Sequence, residues 1–203
     1  MGWFTPKRRK ILMKVANEYN IDYWQTTPID DLYHLEGSYL YKYHHEKKIT
    51  NHLYFWDERM QADVSIFDLK GKFYRLEQTK QTVIYIRCKT LNAPKFLMKP
   101  KNILQKFSQM FVDDEELDYS EYPNFDSAYS VSTKNLVETN YFLKRELLEM
   151  FSNELNWTME AYGNQLILFQ RKKLLPARNI VTFMEKGLEI LEVMMASDSN
   201  DYV

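Results

Sequence analysis

The side chains best suited to chemistry in this chain are Asp57, Asp63 and Asp68, the four histidines, and the lone Cys88. Carboxylates can gather a divalent cation or trade a proton with a substrate. Asp57 and Asp63 flank an expected turn and Asp68 ends an expected strand, so solvation at turn and strand edge is the reading for all three. His44 and His52 would share a strand face, yet eight residues of strand hold them about 26 Å apart. His45 points the other way, and neither HExxH nor a Cys/His pairing at finger spacing is present, so no metal is expected. Arg87 and Lys89 could lower the thiol pKa of Cys88, but a small buried side chain is the expectation there. The five glycines, at 2, 37, 71, 163 and 187, are too scattered for a phosphate loop, and no GxSxG elbow occurs. No cofactor is expected.

Two surface sets remain. Trp3 and Phe4 precede Lys7, Arg8, Arg9 and Lys10, a small interfacial anchor with a polybasic flank; a hydrophobic staple on the first helix would explain the aromatics equally. Tyr39, Tyr41 and Tyr43 would line one face if extended, with Lys42 opposite, as single-stranded nucleic acid or a headgroup layer favours. Cross-strand aromatic pairing accounts for the same pattern, and the ladder vanishes if the segment is helical.

The elements that must position these residues follow from period and punctuation. Pro6 suits a first helical turn, and Ile11, Leu12, Val15, Ala16 and Tyr19 follow at helical spacing. A linking stretch through Thr26-Thr27-Pro28 leads to a helical turn near 29–35. Period two then predicts strands at about 45–56, 60–69 and 81–89, an antiparallel meander with Ile49, Leu53, Phe55, Val64, Ile66, Ile84 and Ile86 inside. Its hairpin tip falls at either 68–72 or 75–78. A short strand at 96–98 and a helix opened by Pro100 with Ile103, Leu104, Phe107, Met110 and Phe111 come next. The acidic run 113–118 reads as a solvated loop, 126–132 as a strand, and 136–155 as a helix. Gly163-Asn164 is the clearest hairpin turn, between strands 156–162 and 165–171. Pro176 opens the last helix, striped by Ile180, Phe183, Met184, Gly187, Leu191 and Met194, and the tail from 197 is expected to fray. The expected fold is α+β: one domain over 1–203, with a mainly antiparallel sheet of about six strands and three or four helices on one face. Its two parts are the meander half, about 6–99, and the helix-and-hairpin half, about 100–196.

Charge divides along the chain. Residues 1–111 hold 19 Lys/Arg against 11 Asp/Glu, and residues 112–203 hold 8 against 17. The near-neutral total hides a strong dipole, which bears on partners rather than on fold. No apolar run reaches the roughly 18 residues of a membrane span. A single cysteine permits no internal disulfide and fits a reducing compartment. A cytoplasmic protein, if anything peripheral to the inner membrane, is the expectation.

Several short motifs resemble those of a broad group of conserved, uncharacterised bacterial proteins, some membrane-anchored. They are Ile49-Thr50-Asn51, Asp63-Val64-Ser65-Ile66-Phe67-Asp68, Gln81-Thr82-Val83, Pro123-Asn124-Phe125 with Tyr129, a helix ending in Phe151, and Trp157-Thr158-Met159-Glu160 before Gly163. The resemblance spans about residues 8–195 and departs between Tyr43 and Lys48, where charged, bulky residues stand. It implies a shared α+β fold and carries over no catalytic residue.

The leading functional expectation is a non-enzymatic binding or protein-interaction module. An enzyme, hydrolase-like, using carboxylates and histidines of the meander is the alternative. A weak binder of anionic membrane or nucleic acid through the basic half is the third, with nucleic acid disfavoured by the acidic half.

Overall fold

The computed structural model describes residues 6–73, 77–101 and 115–196. Helix α1 (Pro6–Tyr19) leads to strand β1 (Asp22–Thr27), a 3-10 segment (Ile29–Gly37) and the short helix α2 (Tyr39–Tyr43). Strands β2 (His44–Asp57), β3 (Ala62–Phe73) and β4 (Glu77–Cys88) form the meander, and β5 (Ala93–Pro100) follows. Then come β6 (Glu115–Glu116), α3 (Pro123–Ala128), β7 (Tyr129–Thr133), α4 (Leu136–Phe142), α5 (Arg145–Ser152), β8 (Trp157–Gly163), β9 (Gln165–Gln170) and α6 (Ile180–Met195).

Among the described residues these make one nine-stranded sheet in the order β1-β2-β3-β4-β9-β8-β5-β7-β6, with every pairing antiparallel. The α+β expectation holds, but the count of about six strands does not. β1 falls in the stretch expected as a linker, because its mostly exposed, polar sequence shows no alternating apolar face. β6, inside the acidic run, is a two-residue edge paired to β7, and pairing there needs no apolar side chain. The late hairpin β8–β9 inserts between β4 and β5, so one sheet threads both halves of the chain.

Both faces of the sheet are covered, which corrects the one-face expectation. Leu12 and Ala16 of α1, Leu147 and Phe151 of α5, and Ile180, Phe183 and Leu191 of α6 pack with Val64, Ile66, Ile84, Ile86 and Met159 on the helical face. Leu32, Leu35 and Leu40 cover Ile49, Phe67, Val83, Tyr85, Ile167 and Phe169 on the outer face. A Cβ on Gly187 would lie 2.5 Å from Ile84 Cδ1, so the bare backbone there lets α6 approach β4.

The meander and its interior residues are confirmed, apart from half-buried Phe55. Ile49 and Leu53 nevertheless face opposite sides, because a bulge between Thr50 and Leu53, with Asn51 at φ 52°, shifts the alternation by one. Gly163-Asn164 forms the expected turn, with Gly163 at φ 54°. Four local expectations change. β3 runs on to Phe73, so 68–72 is not the hairpin tip, and residues 74–76 lie outside the described set. Residues 123–128 are helical and β7 starts only at Tyr129. The 136–155 helix is two, broken at Leu143 and Lys144, whose ψ angles of 84° and 161° are extended. Helix α6 starts at Ile180, after a 3-10 turn at Ala177–Asn179. The helix expected beyond Pro100 and the tail from 197 fall largely or wholly outside the described residues. No described helix is long and apolar enough to cross a membrane.

Candidate functional site

On the outer face, the first four strands and the 3-10 segment bound a groove of about 310 Å³. Strand alternation decides which side chains enter it. Asp63 pairs with Arg87 and Ser65 with Tyr85 across β3 and β4, so all four share that face. The bulge at Asn51 turns His52 and Tyr54 to the same side, and Trp24 stands opposite His52 with ring centroids 5.2 Å apart. His34 closes the groove from the 3-10 segment.

The polar groups are tied to one another. Asp63 Oδ2 accepts from Arg87 Nη2 at 2.6 Å and Nε at 3.1 Å, and Oδ1 accepts the Tyr54 hydroxyl at 2.7 Å. Burial opposes charge on Asp63, but the hydrogen bonds from Tyr54 and Arg87 outweigh it and hold the carboxyl below the usual range. The same bond to Asp63, with burial, pushes the Tyr54 phenol up. Arg87 Nη1 meets His34 Nε2. A guanidinium only donates, so this nitrogen accepts and His34 is neutral. Burial and then the Arg87 charge depress its pKa, in agreement. His52 Nδ1 bonds the Thr27 hydroxyl at 3.0 Å, and burial lowers its pKa to about 4. Its Nε2 has no partner among the described residues.

The three aspartates part company. Asp57 accepts the Met60 N–H at 2.8 Å in its turn, as a turn carboxylate should. Asp63 belongs to the groove. Asp68 is not at a solvated strand edge: it is buried on the helical face and bonded to Arg8, Asn51 and Thr82. No group of three or more potential metal ligands occurs among the described residues. Cys88 is buried, with its thiol against the Met60 carbonyl at 3.2 Å.

The expected surface sets are also rearranged. Trp3 and Phe4 lie outside the described residues. Arg8 leaves the basic set, because its guanidinium is committed to Asp68 beneath α1. Lys7 is exposed, while Arg9 and Lys10 line a second cleft on the helical side of β1. Tyr39, Tyr41, Lys42 and Tyr43 are helical in α2, so the extended tyrosine ladder does not form. Tyr39 stacks on Tyr43 at 6.1 Å, Lys42 lies over Tyr43, and Tyr41 carries the Lys47 ammonium 3.7 Å from its ring centre. Helix α2 is fixed by buried Glu160 of β8, which accepts the N–H groups of Tyr39 and Leu40 at 2.7 and 2.8 Å. Burial pushes this carboxyl up to about 7 against those two bonds.

Reasoning from sequence does not assemble Trp24, His34, Tyr54 and Arg87. The usable signal is the hairpin tip: β3 and β4 pair symmetrically about position 75, and that centre alone sets Asp63 opposite Arg87.

No protein-family model matches the chain, and no curated protein matches it. Among solved structures, the crystal structure of the mycobacterial trehalose monomycolate transport factor A, TtfA, is similar, with a TM-score of 0.65 and 13% identity. The match covers 94% of each chain. At that identity the likeness is one of fold.

Proposed function

We propose that this chain is a non-catalytic binding module whose ligand sits in the groove walled by Trp24, His34, Tyr54 and Arg87. The observation that carries this is the hydrogen-bonded chain Tyr54–Asp63–Arg87–His34, which commits these groups to one another and leaves, of the two histidines, His52 Nε2 without a partner among the described residues. A general base needs a free lone pair and a pKa near the working pH. Asp63 has both oxygens occupied, Asp63 and both histidines titrate below neutrality, and Tyr54 titrates above it. Recognition is better served. Trp24 is 43% exposed and offers a flat apolar face beside fixed donors and acceptors. A volume of about 310 Å³ suits a compact ligand. A sugar-like ring, apolar on its faces and hydroxylated at its edge, matches both features. TtfA is a transport factor, and transport accords with binding rather than turnover. A cytoplasmic setting is part of this proposal, in keeping with the buried, unpaired Cys88.

The test is an NMR titration with a panel of mono- and disaccharides. We expect shifts centred on the Trp24 indole and the Arg87 side chain that disappear in Trp24→Ala. Turnover of nitrophenyl esters, phosphates or glycosides that is lost in Asp63→Asn would instead establish an enzyme.

A protein partner is the second reading, favoured by β1. Among the described residues it is an edge strand, bonded only to β2 and mostly exposed, and so open to strand addition. Thr26→Pro would interrupt such pairing, and unchanged partner capture would exclude this route.

A further inference from the structure

We propose that the cleft between α1, β1 and the start of β2 is a phosphate-binding site, independent of the outer groove. It measures about 530 Å³, and its lining brings together Arg9, Lys10 and Lys48 with the neutral side chains of Gln25, Thr26 and Asn51. Among the described residues that lining holds three cations and no carboxylate.

Three further observations point to an anion. First, the nearest buried acid is already spent. Asp68 is matched by Arg8 through two hydrogen bonds at 2.7 and 2.9 Å, and it also accepts from Asn51 Nδ2 at 2.9 Å. Arg8 cancels Asp68, and the charge of Arg9, Lys10 and Lys48 is left over. Second, the floor is fixed. Asn51 sits in the bulge at φ 52°, and its Oδ1 accepts the Tyr23 hydroxyl at 2.7 Å, while the Arg9 charge lies near enough to that phenol to oppose the rise that burial gives its pKa. A chain of hydrogen bonds from Tyr23 through Asn51 to Asp68 therefore fixes the floor of the cleft beside Arg9. Third, the cations break a local rule. Arg9 and Lys10 stand near the start of α1, whose first turn holds no acidic residue, and positive charge at that end opposes the helix dipole. A conflict between local preference and sequence is expected where function sets the residue. A phosphate placed between Arg9 and Lys48 would relieve the like-charge crowding and take hydrogen bonds from Gln25 and Thr26.

Phosphate chemistry could come from a free phosphate ester or from a phospholipid headgroup, and the test has an arm for each. Inorganic pyrophosphate is titrated calorimetrically at low ionic strength. Binding is also measured to phosphatidylcholine vesicles with and without phosphatidylglycerol. The variants are Arg9→Gln, Lys48→Gln and the pair together, with the exposed Lys14→Gln of α1 as control. We expect the double variant to weaken binding roughly tenfold or more, as for loss of charge-assisted hydrogen bonds, and the control to leave it unchanged. A site-dependent loss in the pyrophosphate arm assigns a free phosphate ester. The same loss in the phosphatidylglycerol arm alone assigns a headgroup. Absence of binding in both arms, binding retained by the double variant, or an equal loss in Lys14→Gln would overturn the proposal. Failure of sugar binding in the outer groove leaves these readouts unaffected, because neither Arg9 nor Lys48 lines that groove.

Discussion

Arg8 and Asp68, sixty residues apart, form a two-pronged ion pair under α1, with their side chains 11% and 1% exposed. The pair ties α1 to the middle of the meander. Thr82 and Asn51 complete the carboxylate's hydrogen bonds, and Arg8 also donates to Thr82 and the Leu175 carbonyl. Burial of both charges is tolerable only because every lone pair is used.

Removing one partner strands the other charge. Asp68→Ala should therefore lower unfolding stability by about 3–5 kcal/mol. In a double-mutant cycle with Arg8→Met, the coupling should be about 1–3 kcal/mol. Urea denaturation measures both quantities, and a coupling of zero would mean that the two side chains act independently.

Stability should peak near pH 6.5, through three buried groups. His44 and His52, both held near pKa 4 by burial, take up protons on unfolding below pH 6.5 and so favour the native state as pH rises. Glu160, raised to about 7, binds its proton more tightly when folded, so its contribution is full below about pH 4.5 and lost as pH rises to 7. From pH 4.5 to 6.5 the two histidines outweigh the one carboxyl, giving a net rise of about 1.4 kcal/mol per pH unit. Glu160→Gln should roughly double that slope, and His52→Gln should flatten it. Denaturation midpoints across this range are the measurement, and a slope unchanged by Glu160→Gln would refute the assignment.

Trp157 is buried, stacked on Phe183 with ring centres 5.5 Å apart, and its indole N–H donates to Glu154 at 2.9 Å. Trp157→Ala should cost about 3–5 kcal/mol, the range for truncating a buried large aromatic. The thermal or chemical midpoint reads this directly, and an unchanged midpoint would place Trp157 outside the cooperative core.

In the groove, the charges beside His34 have opposite signs of effect. Arg87 lowers its pKa and Asp63 raises it, after burial as the main cause of the depression. Arg87→Met should therefore move the His34 titration up, and Asp63→Asn should move it further down. Histidine ring resonances followed by NMR across pH will show either shift, and no movement in both variants would dissociate His34 from the pair.

Much of the framework is legible in the sequence because it is local. The stripe of Ile180, Phe183, Gly187, Leu191 and Met194 needs only the helical period, and the β8–β9 hairpin needs only Gly163-Asn164 between apolar runs. The meander strands declare themselves by alternation. Long-range features are not legible. One extra residue in the bulge at Asn51 reverses which side chains of β2 face outward, and an exposed polar β1 becomes a strand only because β2 offers its edge.

The sequence by itself thus determined the first and last helices, the antiparallel meander, the late hairpin and the absence of any familiar catalytic motif, since each depends on neighbours within a turn or a strand. Tertiary structure alone decided that the late hairpin enters between β4 and β5, that Asp68 is buried against Arg8, and that Trp24, His34, Asp63 and Arg87 meet in one groove. Those outcomes hang on pairing register and helix docking. Both are set by packing free energy summed over distant segments, and no window of the chain contains that sum.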